Sequence, residues 1–89
     1  MSKSDSGQAL RRAIEDLQAD VRRQIQSYPP PIPACDAQFN HLLELRRQLP
    51  AELDRLEAAS VAGPLNAAEF LENSPIGADL APFLAGKKS

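Results

Sequence analysis

Tryptophan is missing from this 89-residue chain, and tyrosine, histidine, cysteine and methionine occur once each. Three phenylalanines complete the aromatic complement, so a packed interior has to be built from Leu, Ile, Val and Ala. A single cysteine, Cys35, excludes an internal disulfide, and folding therefore needs no oxidising compartment. With only His41 beside it, the chain cannot assemble a Cys/His zinc site without carboxylates and a second subunit. No glycine-rich phosphate loop, serine-nucleophile elbow or dinucleotide fingerprint is present. No cofactor is implied, and the expectation is that the protein is not an enzyme.

Long apolar runs are lacking too. The start, Met1-Ser2-Lys3-Ser4-Asp5-Ser6-Gly7, is polar rather than signal-like, and no segment approaches the roughly 20 apolar residues of a membrane span. No membrane partner is expected, and the cytoplasm is the expected location. An excess of positive charge is also absent: ten basic residues face twelve acidic ones, for a net charge of -2. Residues 1–33 hold five bases and four acids, residues 34–62 three and five, and residues 63–89 two and three. No part of the chain supplies the basic field that draws nucleic acid.

What is present reads as helix. Leu, Ala, Glu, Gln and Arg dominate while strand formers are scarce. Leu10, Ile14, Leu17, Val21, Ile25 and Tyr28 recur every three or four residues, which makes one stripe of a helix over residues 7–28 after a flexible tail of residues 1–6. Ser6 or Asp5 can cap its start. The prolines of residues 29–33 stop it, because proline disfavours helical geometry in the residue before it. A stiff polyproline connection of this kind suits an antiparallel hairpin.

The second helix is expected over residues 34–62, starting near Pro33 or Cys35 with Asp36 favouring its positive end. Its stripe is Cys35, Phe39, Leu42, Leu45, Leu49, Leu53 and Leu56, broadened by Leu43 and containing Arg46. Pro50 falls inside. It must either kink the helix or restart it, and the unbroken phase of the leucines argues for a kink. Gly63-Pro64 ends the helix. Asn66 then reads as an N-cap with Glu69 as capping-box partner and Leu65 with Phe70 as staple. One or two short helices follow within residues 66–85, broken by Ser74-Pro75 and interrupted at Pro82, before a frayed tail of residues 86–89. The fold class is all-α: an antiparallel helical hairpin plus short C-terminal helices, forming one small domain.

The candidate sites each have a plain structural alternative. Cys35 at a helix start could be a reactive thiol, but it also fits the stripe as a small hydrophobe with no resolving cysteine. His41 lies six residues further on, about 240° around a helix, so the two cannot form a dyad. Arg11, Arg12, Arg22 and Arg23 make a ladder on one side of the first helix, which is the basis for a rival reading as a nucleic-acid-associated regulator. Glu15, Asp16 and Asp20 neutralise that ladder at helical spacing. Pro30-x-x-Pro33 matches a minimal polyproline ligand but already serves as a linker.

The favoured function is a non-catalytic module binding another protein or itself. Leu43, Arg46, Phe70, Leu71, Leu80, Phe83 and Leu84 are the candidate partner contacts. Because the leucine face of the second helix exceeds what one helix covers, either the C-terminal segment or a second chain must cover it. In a homodimer the hairpins would pair as a four-helix bundle.

Overall fold

A computed structural model describes residues 4–30 and 36–84, with side chains from Gly7 onward. Four helices follow one another and no strand occurs among the described residues: α1 (Ser4–Ser27), α2 (Ala37–Ala62), α3 (Ala67–Glu72) and α4 (Gly77–Leu84). The all-α hairpin with two short C-terminal helices is the observed architecture. The expectations that rest on Cys35 and on a polyproline conformation at residues 31–33 lie outside the described residues, as does the chain beyond Leu84.

Helix α1 starts at Ser4, one turn before the expected Gly7. The expected caps, Asp5 and Ser6, therefore lie within the helix rather than before it. Helix α2 starts at Ala37 rather than near Pro33 or Cys35, because Asp36 is itself the N-cap: its carboxylate accepts from the Phe39 N–H at 2.9 Å. It then runs through Pro50 without a restart. Proline has no N–H, so the Arg46 carbonyl loses its helical donor. In the same way α4 continues through Pro82 rather than being interrupted there.

Helix α1 is the central element. It packs along α2, and α4 and the shorter α3 pack onto it as well. Leu10, Ala13, Ile14, Leu17 and Val21 of α1 meet Leu42, Leu45, Leu49 and Leu56 of α2 in one core, closed by Phe70, Ile76 and Leu80. Ile25 and Tyr28, at the end of the expected α1 stripe, are half-buried against this core. The C-terminal segment does fold back on the hairpin, but chiefly against α1 rather than over the leucine face of α2.

Local chemistry sets the turns that make this return. Asn66 caps α3 by accepting from the Glu69 N–H at 3.1 Å, and the Asn73 amide donates to the Glu69 carbonyl at 3.0 Å. The Ser74 hydroxyl accepts from the Ile76 N–H at 3.1 Å. Gly77 is required by space: a Cβ there would sit 2.2 Å from the Leu71 carbonyl oxygen. Only glycine lets the start of α4 approach the end of α3 that closely.

Candidate interaction surface

Three side-chain clusters tie the helices together, and each removes polar groups from the pool available to a ligand. The first joins the hairpin at its proline connection. Tyr28 donates its hydroxyl to both carboxylate oxygens of Asp36, at 2.8 and 2.9 Å. Its ring packs on Phe39 with centroids 4.9 Å apart. The Asp36 carboxyl is held below its ordinary pKa, chiefly by the Phe39 N–H and then by the Tyr28 hydroxyl. The Tyr28 hydroxyl is pushed above its own, first by its bond to that carboxylate, then by desolvation and repulsion.

The second cluster lies between α2 and α3. Glu52 is only 3% exposed, and occupies the stripe position that sequence spacing assigned to Leu53, which is half-buried instead. Arg55 reaches the Glu52 carboxylate at 3.1 Å, donates to the Phe70 carbonyl at 3.0 Å and lays its guanidinium 3.8 Å from the Phe70 ring centre. No buried side-chain polar atom among the described residues is left without a partner. In the third cluster His41 on α2 stands 3.2 Å from both carboxylate oxygens of Asp79 on α4. A pocket of about 300 Å³ lies beside it, lined in part by Asp20, Leu42 and Phe83. The described residues contain no group of three His, Cys, Asp or Glu able to hold a metal.

The expected contact residues divide accordingly. Phe70 and Leu80 are core residues and offer no free surface, while Leu71, Phe83 and Leu84 are half-buried against the core. Leu43 is half-buried but stands outside the core cluster, and Arg46 is exposed. The arginine ladder is exposed as well, with Arg23 bound to Asp20 one turn away. An open cleft of about 480 Å³ separates the start of α1 from the end of α2, with Leu56, Pro64 and Leu65 on its apolar side and Gln8, Arg11 and Ser60 as polar lining.

Leu43 and Arg46 belong to a second stripe on α2 that sequence reading passed over. Phe39, Leu43, Arg46, Pro50, Asp54, Glu57 and Val61 recur at intervals of four, three, four, four, three and four. At 100° per residue they fall within about 80° of one another, and about 120° around the helix from the buried stripe. Val61 is 83% exposed, the one large hydrophobic exposed among the described residues. Arg46, Asp54 and Glu57 are exposed and make no ion pair among the described residues. The signal that could have found this face is the same three-four spacing that found the core, applied to charged and apolar positions together.

No protein-family model matches the chain, and no curated protein or solved structure is similar to it. No helix among the described residues is long and apolar enough to cross a membrane.

Proposed function

We propose that this protein is a non-catalytic helical module that binds another protein through the outer face of α2. One observation carries the reading: Leu43 outside the core, exposed Val61 and three charges with no ion pair among the described residues share a single continuous face. Apolar residues within reach of charges that have no partner are what a docking helix presents, since the apolar atoms supply area and the charges supply orientation. Several polar groups elsewhere are committed to the fold. Asp36 and Asp79 each hold a neighbouring element in place, and Arg55, paired with Glu52 on its own helix, holds the Phe70 carbonyl of α3, which is structural work. A nucleic-acid reading would need the α1 arginines as a free cationic face, whereas Arg23 is bound to Asp20 and acids interleave the rest.

A photo-crosslinking residue introduced at position 43 or 61, with position 12 on the solvent face of α1 as control, tests the reading in cells. Protein adducts specific to positions 43 and 61 support it. Equal labelling from all three positions, or none from the α2 positions, overturns it.

A further inference from the structure

The charges on the outer face of α2 are arranged so that the face complements itself. Its N-terminal half carries Arg46 and its C-terminal half carries Asp54 and Glu57, with Pro50 midway between Arg46 and Asp54. Eight residues separate Arg46 from Asp54, roughly 12 Å along the helix, so the two cannot pair within one chain. Turning an identical helix end to end about Pro50 matches each position with the one whose number completes 100 (46 + 54, 43 + 57, 39 + 61). Arg46 then meets Asp54 twice, Val61 meets Phe39 twice, and Leu43 lies beside the aliphatic stem of Glu57. Pro50 meets itself at the axis.

We propose that the outer face of α2 is an isologous interface, on which a second copy of this chain docks antiparallel about Pro50, pairing Arg46 with Asp54 and Val61 with Phe39. The proposal rests on the interaction-surface reading above and names the partner. Charge complementarity selects the second copy over an unrelated helix, because a two-fold axis requires each patch to fit its own image. The small residues Ala51 and Ala58 flank the stripe and allow the backbones a close approach. The face lies outside the core cluster, and only Phe39 on it packs within the hairpin, one side of its ring on Tyr28, so the hairpin core stays intact on both sides of the contact.

Sedimentation velocity over a concentration series tests the proposal through charge exchange at exposed positions. The intact protein is expected to dimerise reversibly. R46D and D54R, each alone, should weaken the dimer by roughly tenfold or more, because each places like charges opposite one another twice. Mixing the two single variants should restore association, since R46D of one chain then faces D54R of the other at one pair while the unchanged Asp54 and Arg46 face each other at the second, and the double variant R46D/D54R should self-associate again. V61D should weaken association while helical circular dichroism and melting stay unchanged. A protein that is monomeric up to its solubility limit overturns the proposal. So does a dimer indifferent to R46D and D54R, or one that mixing fails to restore. If the protein is monomeric while crosslinks from positions 43 and 61 to other proteins persist, the interaction surface stands and the second copy as its occupant fails.

Discussion

The pair Glu52 and Arg55 provides the sharpest test of how this small core is held. Glu52 occupies a leucine-like position between Leu49 and Leu56, and its charge is tolerated because Arg55 crosses to it and to the Phe70 carbonyl. Removing the arginine leaves a carboxylate in the core with no partner. Breaking a fully buried pair costs about 3–5 kcal/mol. The Arg55 side chain is 36% exposed against 4% for Glu52, so water can partly replace it. Loss of the contact with the Phe70 ring adds about 0.5–1 kcal/mol at such a site. Together these give about 2–3 kcal/mol for Arg55→Met, which in a domain of this size lowers the melting temperature by roughly 10–20 °C. Glu52→Leu should behave in the opposite way. It continues the spacing of Leu42, Leu45, Leu49 and Leu56, and replacing a buried ion by an apolar side chain is neutral or stabilising by about 1–4 kcal/mol. Urea unfolding followed by circular dichroism reads both, and the double variant closes the cycle. If Arg55→Met costs as much in the E52L background as in the natural protein, Arg55 acts by packing alone and the argument from the buried charge is refuted.

Gly77→Ala should displace α4 from α3, since the new methyl would lie against the Leu71 carbonyl; a loss of about 1–3 kcal/mol, typical of overpacking, is the expected result of thermal melts. The Tyr28 and Asp36 pair predicts a pH window. Asp36 has its folded pKa lowered, so its contribution is present above the ordinary carboxylate range and is lost as pH falls through the folded value. Tyr28 has its folded pKa raised, so its contribution is complete below about 10, the unfolded value, and is lost as pH rises through the folded one. Melting temperatures of Tyr28→Phe should therefore differ from those of the natural protein most between about pH 4 and 10, and identical pH profiles would count against the clasp. Truncation after Ala62 removes Phe70, Ile76 and Leu80 from the core and should expose α1, giving aggregation or lost helicity on gel filtration and circular dichroism; a soluble, equally stable fragment would show that the C-terminal helices are dispensable to the core.

The candidate surface was half legible in the chain. Leu43 was legible because it broadens a leucine stripe, and Arg46 because it interrupts one. Asp54, Glu57 and Val61 were not, because an exposed charge or a lone valine at a helix end is ordinary until its neighbours on the face are known to lack partners. For Phe70 and Leu80 the converse holds: an apolar residue on a short helix suits a partner or a core equally, and the return of α3 and α4 onto α1 buries both side chains in the core.

The sequence by itself determined the four helices and the breaks between them. Helical periodicity, proline, glycine and the Asn66 cap act within a few residues of their own position, and their chemistry is complete before any distant contact forms. Tertiary structure alone decided that α1 rather than α2 is central, and that Glu52 is buried while Leu53 is half-buried. It also decided that Tyr28 closes the proline connection onto Asp36 and that one face of α2 has charges without an ion pair among the described residues. Each of these depends on which surfaces the folded chain brings within a few ångströms. The Glu52 carboxylate in a core position becomes tolerable because Arg55, one turn along the same helix, pairs with it while the Phe70 carbonyl of α3 accepts from that same guanidinium and fixes its place.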